Sequence, residues 1–153
     1  MADFGRGIKA GIVSGIIYGI VFAILAAIMA LIFEDIYADF AGMGITIEGA
    51  VVAIVFVGAI IGGIISGIIG GIIFGLIYAA MYDSLPGSTS VIKGIVLSII
   101  FWIIFSILLS YGTLTANMEL YVINNVIIGI IAAVFWGFLL GKFWDKFGTA
   151  APA

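Results

Sequence analysis

Four apolar runs constrain this chain before anything else, because each is long enough, or nearly so, to cross a bilayer. They extend from Ala10 to Phe33, from Gly49 to Tyr82, from Gly94 to about Gly112 and from Tyr121 to Gly141. A spanning helix needs about 20 apolar residues to cover roughly 30 Å of hydrocarbon. Inside lipid every backbone N–H and C=O must be satisfied within the protein, which leaves helices and closed barrels. The runs are continuous rather than alternating, so they predict four transmembrane helices, an all-α integral membrane protein.

Composition points the same way. Of 153 residues, 65% are hydrophobic and only 8% charged, with a mean hydropathy of +1.46. A water-soluble surface takes roughly a quarter of charged residues. Soluble enzymes and nucleic-acid binders are therefore excluded as readings. The sequence contains neither His nor Cys, the usual ligands of haem, zinc, copper and iron–sulfur clusters. No cofactor, no metal and no nucleic-acid partner is expected.

The few charges carry a topology. Arg6 and Lys9 precede the first run, Lys93 lies between the second and third, and Lys142 and Lys146 follow the fourth. The connections 34–48 and 113–120 hold no Lys or Arg but contain Glu34, Asp35, Asp39, Glu48 and Glu119. Such a bias predicts a multi-pass protein of the plasma membrane with both termini in the cytoplasm. The first run is too long for a signal-peptide core and lacks an Ala-x-Ala site after it, so it reads as a retained helix.

The two halves of the chain resemble each other. Lys9, Ser14 and Leu25 recur as Lys93, Ser98 and Leu109, with Tyr18 matched by Trp102. At a different offset, Gly67, Gly75 and Asp83 recur as Gly129, Gly137 and Asp145, with the aromatic pairs Phe74/Trp136 and Tyr82/Trp144. The pattern predicts two repeated helical hairpins, residues 7–83 and 91–146, followed by a flexible tail over 147–153. An even number of spans per repeat relates them by an axis along the membrane normal.

The first hairpin is longer at its outer end. Ile36, Tyr37 and Phe40 continue the helical face beyond Phe33, while Glu34, Asp35 and Asp39 lie elsewhere, an amphipathic extension. Gly42 and Gly44 then supply a turn. The run from Gly49 to Tyr82 would be about 50 Å long at 1.5 Å per residue, more than the membrane needs. The first two helices are expected to project together on the extracytoplasmic side, with Ile36, Tyr37, Phe40, Val51 and Val55 as a partner-contact stub. A bend of the second helix at Gly62–Gly63 is the alternative.

Small residues form ridges at intervals of four, which lie on one helix face. Gly7, Gly11, Gly15 and Gly19 make one on the first helix. The second helix carries two, Gly63, Gly67, Gly71 and Gly75 beside Gly58, Gly62, Ser66 and Gly70. The fourth carries Gly129, Ala133, Gly137 and Gly141. Small side chains let helix backbones approach closely in lipid. Two ridges on the second helix predict that it is central and packs on two neighbours at once. Polar residues are scarce. Ser98, Ser106 and Ser110 form a stripe on the third helix, and Asn124 and Asn125 lie near the outer end of the fourth. These are candidates for helix-to-helix hydrogen bonds or for lining a pore. Asp83 and Asp145 are expected to pair with Lys93 and with Lys142 or Lys146. Tyr78 and Tyr82 read as part of an inner aromatic belt, Tyr111 and Tyr121 as part of an outer one.

A duplicated, glycine-ridged hairpin resembles the proteolipid of rotary ATPases. That family carries a carboxylate in the middle of its ion-binding helix. The corresponding stretches here, Ile64 to Ile77 and Val126 to Leu139, hold none, so the resemblance implies no ion-translocating role. What remains is a non-enzymatic membrane protein working through glycine-mediated packing, as a homo-oligomer or an accessory subunit of a larger membrane complex. The alternative is an oligomeric channel or facilitator for small solutes or ions.

Overall fold

The computed structural model describes residues 2–32, 50–108 and 118–148, all but their connecting turns helical. Helix α1 spans Phe4–Ile32 and α2 spans Ala50–Met81. Helix α3 is α-helical over Ser90–Trp102 and continues as a π-helix through Ile103–Leu108. Helix α4 opens with Met118–Tyr121, is π-helical over Val122–Ile128 and α-helical over Gly129–Gly148. Four stretches of these helices are long and apolar enough to cross a membrane: Phe4–Leu25, Val57–Met81, Ser90–Ile107 and Asn125–Gly148. Their sequences are crowded with Ile, Val and Gly, poor helix formers in water. In lipid the choice is made by backbone hydrogen bonding instead.

The helix starts are fixed by polar residues just outside the apolar runs. Asp3 accepts a hydrogen bond from the Arg6 amide at 2.9 Å, so α1 begins six residues before the first apolar run. Thr89 caps α3, its hydroxyl accepting from the Ile92 amide at 3.3 Å. Between α2 and α3, Gly87 takes φ 136°, a conformation that disfavours any side chain. The turn at Pro86–Gly87 is therefore tight. Helix α4 continues through Phe147 and Gly148.

Helix α2 is unbroken through Gly62–Gly63. It is not the central helix that its two ridges predict. Helix α1 packs along α2 on one side and against α4 on the other, while α4 also packs along α3. The pair α1–α4 thus forms the centre, with α2 and α3 flanking it. Among the described residues the α2 and α3 backbones hardly approach each other, and Phe74 and Phe101 bridge the gap with ring centroids 4.4 Å apart.

The tightest seam joins α1 and α2. Gly7, Gly11, Gly15 and Gly19 lie opposite Gly75, Gly71, Gly67 and Gly63, in antiparallel register. A methyl group built on any of the eight would collide with the facing backbone carbonyl. Four contacts over twelve residues extend about 18 Å along the helices, so the two axes diverge little. The second seam is shorter and involves a glycine that no ridge contains. Gly94 on α3 meets Gly137 on α4, and Gly141 lies against Ser90 and Val91.

Candidate functional site

Two constellations stand out, one at the end of the bundle where both inter-helix polar contacts and chain ends gather, the other at mid-span. At the first, Arg6 on α1 donates from Nε to the Trp144 carbonyl at 2.5 Å and stacks over the Trp144 ring at 4.3 Å. Its guanidinium lies 3.8 Å from Asp145. Asp145 accepts from the Ser90 hydroxyl at 2.5 Å, which also meets the Tyr82 hydroxyl at 2.6 Å. Tyr78 donates to the Ser90 carbonyl, and Lys93 donates to the Tyr82 carbonyl at 2.7 Å while resting on the Tyr82 ring. One residue set therefore ties all four helices together.

This arrangement corrects several expectations. Asp145 pairs with Arg6 rather than with Lys142 or Lys146, and Lys93 serves Tyr82 rather than Asp83, which is exposed. Tyr78 is wholly buried in the core beside Leu97, Leu140 and Trp144 instead of forming a belt. Ser90, the hub of the network, carried no signal in the sequence beyond its place after the Thr89 cap.

At mid-span, aromatic rings run from helix to helix. Phe22 stacks on Tyr18, Tyr18 on Trp136, and Trp136 on Phe74, with centroids 4.4–4.6 Å apart. Phe74 then meets Phe101, which stacks on Phe105 at 5.5 Å. Beside this column lies a cavity of about 360 Å³ between α2 and α3, closed behind by α4. Ser98 and Ser106 both line it, together with Trp102 and Ala133. Gly70 and Gly129 line it too, where a larger residue would fill the space.

The π-helical stretch of α3 contributes Phe105 and Ser106 to the cavity wall, and that of α4 ends just before Gly129, which also lines it. A π-turn leaves backbone carbonyls poorly matched to the usual amide partners. Here aromatic side chains from the neighbouring helix take two carbonyls in and beside these stretches. Trp102 Nε1 donates to the Asn125 carbonyl at 2.7 Å, and the Tyr121 hydroxyl donates to the Ile107 carbonyl at 3.1 Å. Tyr121 is accordingly buried, not part of an outer belt. Asn125 contributes through its backbone. The side chain of Asn124 lies outside the described residues, as do Ser110, Tyr111 and the stub residues Ile36, Tyr37 and Phe40. Val51 and Val55 belong to α2, but their side chains are also outside the described residues.

The ridges divide by use. Gly63, Gly67, Gly71 and Gly75 are consumed by α1, and Gly137 and Gly141 by α3. On the other ridge of α2, Gly70 gives room to Trp136, while a methyl group on Gly58 or Gly62 would meet nothing within 4 Å. Gly58, Gly62 and Ser66 are exposed, so among the described residues they are not packing residues.

Residues 1–152 match the model of the family of unknown function DUF6789, and the chain belongs to that family. No curated protein and no solved structure matches it.

Proposed function

We propose that this member of the family is a non-enzymatic, multi-pass membrane protein that associates with a second copy of itself through the outer face of α2. One observation carries the reading. Gly58, Gly62 and Ser66 repeat the spacing of the ridge that seats α1, yet they remain exposed with open space above the two glycines. The α1–α2 seam shows what such a ridge does in this chain when a partner is present. The unused ridge bears no charge, and it can pair with its own copy about a two-fold axis, as isologous interfaces require. Beside it run Val57, Ile61 and Ile65, each more than half exposed, apolar knobs that would flank the groove.

In this reading the basic end of the bundle faces the cytoplasm and both termini lie there, in keeping with the positive-inside bias. The hairpins are a duplication. The repeat-equivalent pairs Phe74/Trp136 and Tyr82/Trp144 stack on each other, at 4.4 and 4.8 Å, as equivalent residues do when they face a common axis. The connection between α1 and α2 would then lie on the opposite side of the membrane.

Because the chain has no cysteine, cross-linking tests the interface cleanly. Gly62→Cys in native membranes should give a disulfide-linked dimer, whereas Ile131→Cys, on an exposed position of α4, should not. Gly62→Leu should abolish the dimer in mild detergent while leaving the fold intact. A protein that is monomeric at every concentration, or one that cross-links equally from both positions, would overturn the reading. A dimer with a different membrane protein in its place would mark an accessory subunit.

A second reading, a channel or facilitator for small solutes or ions, draws on Ser98 and Ser106 sharing one cavity. No charged side chain is among those lining it, so an ion would find little to replace its hydration shell. Solute flux into liposomes, lost on Ser106→Leu, would favour this reading over the first.

A further inference from the structure

We propose that the groove along α3 and α4 below Lys142 is a binding site for one anionic phospholipid, with an acyl chain in the groove and the phosphate on the Lys142 ammonium. The groove follows from the second glycine seam. Gly94 meets Gly137 there, and Gly141 lies against Val91, so the two backbones are in contact. Such close approach leaves a valley beside the seam that larger side chains line. It has a volume of about 520 Å³ and is lined by Ile95, Ile130, Ile131, Val134, Phe135 and Phe138, with no polar side chain among them. Ile131 is more than half exposed, and Val134 and Phe138 are exposed too. The groove is therefore open to the bilayer, on a different face of α4 from the aromatic-lined cavity.

Direction and length fit a single tail. Ile131, Phe135, Phe138 and Lys142 follow one another at intervals of four, three and four residues, and so share one face of α4. Ile130 and Lys142 are about 18 Å apart along the helix. One leaflet contributes about 15 Å, half of the hydrocarbon thickness. The lysine thus stands at the head-group end, its ammonium 5.5 Å from the centroid of the Phe138 ring.

Charge decides which lipid fits. Arg6 is committed to Asp145 and Trp144, and Lys93 to the Tyr82 carbonyl. Lys142 is exposed and makes no hydrogen bond or ion pair among the described residues. The neighbouring carboxylate, Asp145, is held by Arg6 and Ser90. Lys146 adds a second positive charge four residues further along α4. Val91, one turn before Ile95, belongs to the first turn of α3, where the helix dipole also favours an anion. A plain hydrocarbon would leave this positive potential unanswered, and a zwitterionic head group brings its own cation to it. A phospholipid of net negative charge answers both the apolar valley and the cation at its end. The groove uses α3 and α4 rather than the outer face of α2, so it stands or falls independently of self-association.

Native mass spectrometry of the full chain in mild detergent tests the site, with phosphatidylglycerol and phosphatidylcholine of identical chains as probes. One phosphatidylglycerol per chain should bind saturably, with a dissociation constant about five-fold or more below that of phosphatidylcholine. Lys142→Gln should raise the phosphatidylglycerol constant about five-fold, equivalent to about 1 kcal/mol for one cation at an anionic surface, and close most of the gap between the lipids. Lys9→Gln, which removes an exposed cation of α1 at the same end, should change neither constant. Val134→Trp, which puts a ring into the groove, should weaken both lipids. Glycerol phosphate, a head group without tails, should not compete. Equal affinity for the two lipids would overturn the proposal. So would competition by glycerol phosphate, binding indifferent to Val134→Trp, or equal losses in Lys142→Gln and Lys9→Gln, the mark of diffuse attraction to the basic end. Should Val134→Trp fail to fold, the comparison of the two lysine variants decides alone, because both side chains are exposed.

Discussion

Gly11 and Gly62 are the same residue type on the same kind of ridge, and they differ only in what a methyl group would meet. At Gly11 it would strike the Gly71 carbonyl, and at Gly62 it would enter open space. Overpacking a close seam costs about 1–3 kcal/mol. Gly11→Ala should therefore lower the midpoint of thermal unfolding in detergent. Gly62→Ala should leave the monomer's midpoint unchanged or slightly raised, since Ala is the better helix former. Equal losses at both positions would contradict the seam. Tyr78 offers a second contrast. Its hydroxyl donates to the Ser90 carbonyl inside the core, so Tyr78→Phe should cost about 0.5–1.5 kcal/mol, read from the same unfolding curves.

The π-helical stretches of α3 and α4 are held open by their neighbours. Removing the Trp102 N–H by Trp102→Phe strips the Asn125 carbonyl of its partner. Amide hydrogen exchange across Val122–Ile128 should then quicken about five-fold, corresponding to a lost bond of about 1 kcal/mol. Exchange that stays unchanged would show that the π-turns stand without the tryptophan. At the other end of the bundle, α1 is clamped to α4 by Arg6. The ion pair to Asp145 is long at 3.8 Å and the Asp145 side chain is 56% exposed, and pairs of that kind contribute at most about 1 kcal/mol. The stack on Trp144 and the bond to its carbonyl do more. Asp145→Asn, which keeps an acceptor for Ser90, should thus destabilise less than Arg6→Ala. The reverse order, measured by chemical unfolding, would make the charge pair the true clamp.

The molecule as a whole is a row of helices, α2–α1–α4–α3, closed by tight glycine seams at its two ends and left loose where α2 faces α3. That loose joint holds the cavity, and its orphaned polar groups make a further forecast. Ser98→Ala should be at least as stable as the natural protein, because it deletes a buried hydroxyl that has no partner among the described residues. A clear loss of stability would mean that the hydroxyl is already satisfied.

Much of this architecture could be read from the chain alone. Apolar run length dictates four membrane helices because lipid offers the backbone no other partner. The four-residue spacing of Gly7 to Gly19 and of Gly63 to Gly75 dictates a close seam, because glycine alone permits backbone contact there. The one-sided charges place Arg6, Lys93 and Lys146 beyond the same ends of the runs. The sequence could not say which of the two ridges of α2 would be used, because each has the same spacing and nearly the same residues. Nor could it say that Gly94 would meet Gly137, that Asp145 would choose Arg6 over nearer lysines, or that Ser98 would be left without a partner when Ser14 is not. Those outcomes depend on how the helices are rotated and spaced against one another. Rotation sets which face each helix buries, and that is decided only when all four pack together.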